Sequence, residues 1–345
     1  MIAVGIDVGG TQTRVGAFNT DGTGDIKPVV RCHPSVCDRH GNMLVDWMVR
    51  AVGEVIEESL AGGTACNTPA KRQRETTEPP HDEVAVIGLA LPGILDRYRH
   101  ILIRSVNAAF FERRPIVDEL AERTGHHVCL MTDAEAATWG EYSARAIDEP
   151  AYRKCRPGLR RAVRCFVHLR LGTGVACGVV IEDSLRCSDV NRSCHLDELV
   201  IDRSDNALTC PCGQRGCLET VASGPALRKA CADAGYSDNL SDLQSGWEHH
   251  EETARTIVHN AAQALAQAFT QLAEYSDVIV ISVGGGVVTA LPALLHEAIR
   301  VYNIHQSPCK HGLVQIIGAK CGDHAGVIGA GLLAVEYLCH SLDVP

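Results

Sequence analysis

Apolar residues follow two spacings along the chain. Ile2 to Val8 is a near-continuous apolar run ending at Gly9-Gly10, and Thr13 to Phe18 is a second run leading to the turn signal Asp21-Gly22. Together they predict a β-hairpin start. From Met43 to Leu60 the apolar positions recur at helical spacing and stop at Gly62-Gly63, and Val84 to Leu91 then predicts a strand running into Pro92-Gly93. Strand, helix and strand in that order predict an α/β layer. Residues 67–83 between them, NTPAKRQRETTEPPHDE, are polar, mixed in charge and proline-bearing, and fit a solvated loop. The plan then repeats. Val128 to Thr132 reads as a strand, Ala134 to Ala146 as a helix, and Phe166 to Leu171 as a strand breaking at Gly172-Thr173-Gly174. Glu251 to Ala273 has the spacing of an amphipathic helix, Val278 to Val283 is a strand ending at Gly284-Gly285-Gly286, and Gly326 to Leu338 is a closing helix rich in small residues.

At about 100–200 residues per domain, 345 residues predict two domains, and 46% hydrophobic composition suffices for a core in each. No apolar run approaches the roughly 18 residues of a membrane helix, and the opening MIAVGIDVGG lacks the basic, apolar, small-residue order of a signal peptide. The expectation is a cytoplasmic chain with no membrane partner. A formal charge of −10 repels a phosphate backbone and argues against nucleic acid as a partner. The six basic residues between Arg153 and Arg164 have no interleaved aromatics and read as a solvated insertion. Most of the sixteen cysteines, such as Cys129, Cys165 and Cys177, stand singly in apolar runs, where a thiol packs as a small hydrophobe.

Two patterns carry chemistry. The first is the set of three glycine turns, each after an apolar strand. Glycine lets backbone N–H groups approach a phosphate with no Cβ in the way, and the hydroxyls of Thr11, Thr13 and Thr173 add donors. With Asp7 beside the first turn, the set suggests a nucleoside triphosphate, Asp7 holding Mg²⁺ through water. The second is Cys210-Pro-Cys212-Gly-Gln-Arg-Gly-Cys217-Leu-Glu219, three thiols in eight residues with glycines that let the loop fold round one ion. Soft ligands at that spacing point to structural Zn²⁺ with a fourth ligand from elsewhere.

DVGGTQTR, LALPGILD, TDAEAATWGE, LGTG, CPCGQRGCLE followed by ASG, and SVGGGVV together resemble the ROK family of sugar kinases and repressors. The resemblance spans nearly the whole chain. It implies the actin-like ATPase (ribonuclease H-like) fold, with a small lobe of residues 1–132 and 326–345, a large lobe of residues 133–325 carrying the zinc loop 210–219, and an active cleft between them. It also implies ATP, Mg²⁺ and Zn²⁺, a sugar-like substrate, and a homodimer or higher homo-oligomer. Asp133 falls at the place of the catalytic base. A carboxylate at a strand end and in the first turn of a helix suits that role, and also suits a helix N-cap. By the same resemblance Pro92, Gly93, Asn107, Thr132, Asp133, Glu198 and Glu219 bind the acceptor. Asp7, Gly9, Gly10, Thr11, Thr13, Arg14, Gly172, Thr173, Gly174, Gly284, Gly285 and Gly286 bind the nucleotide.

The chain departs from the family at the acceptor. Relatives carry Asn-Asp-Ala-Asn where this chain has Thr132-Asp133-Ala134-Glu135, and a zinc-binding, sugar-touching histidine where it has Ile201. His195, Cys194, Cys187 and Asp202 are the nearby candidates for the fourth zinc ligand. The expectation is an ATP-dependent kinase acting on a primary hydroxyl of a hexose, hexosamine or cyclitol. The alternative is a sugar-responsive regulator or sensor without kinase activity. Repressors of the family carry a helix-turn-helix before the glycine motif, where here Asp7 follows the start by six residues. Retention of Asp7, Asp133 and the glycine turns argues against a sensor.

Overall fold

The computed structural model describes residues 1–20, 26–35, 38, 40–62, 86–148, 165–186, 199–210, 212–274, 280–305 and 314–342. Asp21-Gly22, the 67–83 segment and the basic 153–164 stretch lie outside them. The chain divides into two compact units, Met1–Gly140 with His324–Pro345, and Glu141–Asp323.

The first unit is built on a five-stranded sheet in the order β3-β2-β1-β4-β7. Strand β1 (Ile2–Val8) pairs antiparallel with β2 (Gln12–Asn19), which pairs antiparallel with β3 (Val29–Pro34). On its other edge β1 runs parallel to β4 (Val86–Leu91), and β4 parallel to β7 (His127–Thr132). Strands β1 and β4 are buried at every position, as central strands covered on both faces must be. One core gathers Ile6, Val8, Leu44, Met48, Leu89, Phe111 and Leu120 beneath α1 (Asn42–Gly62) and α2 (Ile116–Thr124). A hairpin of β5 (Ile94–Asp96) and β6 (Ile101–Arg104) follows β4, and α3 (Asp133–Asp148) begins where β7 ends.

The closing helix α10 (Ala325–Leu342) lies backbone to backbone on this sheet. A Cβ on Gly5 would come within 1.9 Å of the Val327 carbonyl oxygen, and one on Gly88 within 2.0 Å of that of Ala330. Glycine at these two strand positions is what admits the helix. Helices α3 and α10 meet in the same way, since a Cβ on Gly329 would sit 1.7 Å from the Ala136 carbonyl oxygen.

The second unit has its own five-stranded sheet, β10-β9-β8-β11-β12. Strand β8 (Cys165–Leu171) pairs antiparallel with β9 (Val175–Ile181), which pairs with β10 (Ser184–Leu185); β8 also runs parallel to β11 (Val280–Gly284), and β11 to β12 (Gln315–Gly318). After α4 (Glu219–Ala222) come α5 (Gly224–Asp233), α6 (Leu240–Glu248), α7 (Glu252–Glu274), α8 (Gly286–Ala290) and α9 (Pro292–His305). The buried stripe of α7, including Ile257, Val258, Ala261, Leu265, Phe269 and Leu272, supplies much of this unit's core.

Candidate functional site

In the first unit, strand β1 delivers Asp7 to the mouth of the Gly9-Gly10-Thr11 turn, where it is 1% exposed. Gly326, in the first turn of α10, lies so close that a Cβ there would come within 2.4 Å of Asp7 Oδ2. An acid at a helix N-terminus is favourably placed with respect to the helix dipole. Gly9 N–H donates to the Gln12 carbonyl at 3.0 Å and closes the turn. Thr11 is exposed, and Arg14 Nη2 donates to Gln12 Oε1 at 3.1 Å. Thr13 is fully buried, and its hydroxyl shares a 3.0 Å hydrogen bond with that of Ser35.

Around the same turn the structure gathers acceptor candidates. A Cβ on Gly10 would lie 3.1 Å from the side chain of Asn107, so the turn and Asn107 are in contact. Ser105 Oγ accepts from the N–H groups of Asn107 and Ala108 and fixes that loop. Pro92 is buried, and Gly93 has φ +121° with a notional Cβ 2.3 Å from the Arg104 carbonyl oxygen. Only glycine fits there.

Asp133 is half-buried in the first turn of α3, at the end of β7. The residues on either side of it form a capping box: Glu135 N–H donates to Thr132 Oγ1 at 3.2 Å, and Thr132 N–H donates to Glu135 Oε2 at 2.9 Å. Glu135 is 2% exposed, and its other oxygen accepts from Arg97 Nη2 on the β5–β6 hairpin. Thr132 and Glu135 are thus engaged with each other, and Glu135 with Arg97. The Thr-x-x-Glu spacing announces the box in the sequence; nothing local announces Arg97.

In the second unit the Gly172-Thr173-Gly174 turn joins β8 to β9, with Gly172 N–H donating to the Gly174 carbonyl at 2.9 Å and Thr173 exposed. Glu219 reaches this turn: its Oε2 accepts from Val175 N–H at 3.0 Å and would lie 2.7 Å from a Cβ on Gly174. Helix α5 also starts here, Gly224 N–H donating to the Gly172 carbonyl at 2.8 Å. Gly285, at φ +97°, brings the β11 turn against β8, a notional Cβ lying 2.4 Å from the Leu171 carbonyl oxygen. Two backbone turns, the N-terminus of α5 and the Glu219 carboxylate therefore meet at one place. Glu198 lies outside the described residues.

The cysteine loop is folded by Gly213 and Gly216, at φ +94° and +75°. Gly216 allows no side chain, since a Cβ would lie 1.7 Å from the Asp202 carbonyl oxygen. Cys210 and Cys217 are buried, Cys212 is exposed, and the three Sγ atoms lie within 4.8 Å of one another. Burial pushes the Cys210 and Cys217 thiols up. Their donor chemistry and spacing fit Zn²⁺. Among the described residues no further histidine, cysteine or carboxylate joins this group; Asp202 instead accepts from Ser204 N–H at 2.9 Å. Cys187, Cys194 and His195 lie outside the described residues. Ile201 packs against the apolar core of this unit.

The ROK family model matches residues 73–337. The chain is 28% identical over 352 residues to a glucokinase from Thermotoga maritima, covering 96% of this chain and 97% of that protein. It is 28% identical over 259 residues to an N-acetylmannosamine kinase from Salmonella arizonae, covering 74% and 81%. The structure superposes on a ROK hexokinase from Thermus thermophilus with a TM-score of 0.70 at 24% identity, covering 99% of this chain and all of that one. The architecture is the actin-like ATPase fold with its two lobes, and the enzyme class is carbohydrate kinase. The chain belongs to the ROK family.

Proposed function

We propose that the protein transfers the γ-phosphate of ATP to a primary hydroxyl of a sugar or sugar-like acceptor, with Asp133 as general base. The observation that carries this reading is the placement of Asp133: half-buried, at a strand end, in a helical turn whose two flanking residues are locked in a capping box. A fixed carboxylate can orient a hydroxyl and take its proton, the part a catalytic-loop aspartate plays in phosphoryl transfer. Pro92, Gly93, Asn107 and Thr132 border the same region of the first unit and are its acceptor residues in this reading; Glu198 and Glu219 are acceptor residues by the family resemblance alone.

The nucleotide residues are the Asp7, Gly9 and Gly10 turn with Thr11 and Arg14, and the second unit's Gly172 to Gly174 and Gly284 to Gly286; Thr13, bonded inward to Ser35, supports the first turn instead of contacting phosphate. Backbone N–H groups of the turns hold phosphate oxygens, and Asp7 holds the hydration shell of Mg²⁺. Bound Mg²⁺ supplies neutralisation of charge on the transferring phosphate. Cys210, Cys212 and Cys217 are the protein's thiolates for a structural Zn²⁺, ordering the loop that leads to Glu219. A homo-oligomer and a cytoplasmic location complete this reading.

Glucokinase and N-acetylmannosamine kinase relatives frame the acceptor as a hexose or hexosamine, with a cyclitol as the carbocyclic variant. Ile201 has no polar atom to offer, and Glu135 is engaged within its own turn, so an acceptor other than glucose is favoured. Two missing polar contacts at roughly 1–3 kcal/mol each correspond to about 10² or more in kcat/KM. Steady-state kinetics with ATP over glucose, mannose, N-acetylated hexosamines and a carbocyclic analogue should place glucose below the best acceptor. A clear preference for glucose refutes the specificity; no turnover on any acceptor refutes the kinase.

A further inference from the structure

The β5–β6 hairpin turns at Asp96, whose Oδ1 accepts from the N–H groups of Tyr98 at 3.1 Å and Arg99 at 3.0 Å. This Asx-type turn sets Arg97, a half-buried residue, against α3. Its Nη2 donates to Glu135 Oε1, and the pair has side-chain exposures of 23% and 3%. Glu135 is therefore an ionisable carboxyl almost wholly removed from water, two residues from Asp133 on the same helical turn.

A buried carboxylate is tolerated only when its lone pairs and its charge are both answered. Thr132 N–H answers one oxygen, and Arg97 answers the other together with the charge. Without the guanidinium, Glu135 is left as a buried carboxyl with one oxygen unanswered, or swings towards water. Either change weakens the box, and the box is what surrounds Asp133. Thr132 and Glu135 are joined to each other through both backbone and side chain, so Asp133 cannot keep its place if they separate.

We propose, resting on the kinase reading above, that Arg97 is a positioning residue: through Glu135 it fixes the first turn of α3 and with it the carboxylate of Asp133. It acts on the acceptor hydroxyl at one remove. A misplacement of the order of 1 Å in a reacting group can cost about 100-fold in rate, so an effect of about 10- to 100-fold on kcat is expected from its loss.

The test is kinetic and uses the full chain with ATP and its best acceptor. R97M should lower kcat about 10- to 100-fold, with KM for ATP and for the acceptor changed less than about threefold, and R97K should restore part of the loss because it keeps the charge but not the forked donors. The double variant R97M/E135Q should be no slower than the slower single variant, because both residues act through one contact. Additive losses, or a KM for the acceptor that rises tenfold with kcat intact, would make Arg97 a direct acceptor contact and overturn the proposal. So would full kcat in R97M. If R97M fails to fold, R97K and E135Q carry the test: both must lower kcat more than KM changes. Wild-type protein inactive on every acceptor overturns the kinase reading itself, an outcome distinct from an active wild type indifferent to Arg97.

Discussion

The two sheets have one strand order and different chemistry at corresponding places. The first strand of each is seven residues long, IAVGIDV in the first unit and CFVHLRL in the second, and each ends at a glycine turn. The sixth position is Asp7 in one and Arg170 in the other; the fourth is Gly5 in one and His168 in the other. The parallel neighbour repeats the contrast, with Gly88 beside Gly5 and Ser282 beside His168. Topology thus puts a backbone turn at the end of each first strand, and the residue one place before that strand's end is an acid in one unit and a base in the other. An acidic turn suits a cation; a basic one suits phosphate. One level deeper, a glycine pair admits a helix backbone where the other unit buries an imidazole.

The largest effect expected from this division concerns the reaction itself, which we place on the acid-bearing unit. Asp133→Asn keeps shape and removes the proton acceptor, so kcat should fall by about 10² to 10⁴ with ATP affinity unchanged. Turnover and equilibrium nucleotide binding measured on the same preparation check this. Near-wild-type turnover would take the base away from α3.

Stability should follow what each glycine's backbone touches. Gly329→Ala forces a methyl group to within 1.7 Å of the Ala136 carbonyl oxygen, where neither helix backbone can yield cheaply. Overpacking of this kind costs about 1–3 kcal/mol or more. Gly286→Ala in the second unit meets nothing within 4 Å and should leave stability nearly unchanged. Denaturant unfolding of the two variants, read by hydrogen exchange in each unit, distinguishes them; equal losses would remove the special role given to glycine in the first unit.

The smallest effect is one of pH and belongs to the second unit. Burial is the main reason that the His168 imidazole is pushed down to about 3, helped by the charges of Arg170 and Arg145. Its Nδ1 has no hydrogen-bond partner among the described residues. The folded ring therefore stays neutral while the unfolded one takes a proton below about pH 6.5. Its stability contribution is complete above that pH and declines as pH falls towards 3, by about 1.4 kcal/mol per unit. Hydrogen exchange of β8 and β11 peptides between pH 7 and pH 5 should show this decline in wild type and a flatter profile in His168→Phe. Identical profiles would exclude His168 as its source.

What could be read from the chain before its structure follows the range of the interactions involved. Strands β1 and β8, helix α7 and the glycine turns declare themselves because apolar spacing and glycine are local signals. Strand β9 and helix α9 escape the apolar pattern: β9 follows β8 after three residues, and α9 starts at Pro292 directly behind the Gly284-to-Gly286 turn and its short helix. Thr13 looks like a phosphate donor from its place in the motif, yet alternation in β2 turns it inward to Ser35. Arg97 is the clearest case, since its partner lies 38 residues further along and no spacing rule spans that distance. Among the described residues the cysteine cluster assembles as its spacing suggests, because loop geometry is written in its own glycines.

Helix α10 also bears on how the polypeptide is made. Strands β1 and β4 emerge early from the ribosome, yet the surface that covers Gly5 and Gly88 is the final helix of the chain. Until α10 has been synthesised, the first unit has a sheet face with no cover, while every residue of the second unit has already been made. Domains generally fold as units during synthesis. Strands β1 and β4 therefore precede the second unit in synthesis and complete their core only after it. A chain truncated before residue 325 and released from the ribosome should accordingly show a protease-resistant second unit and a sensitive first one.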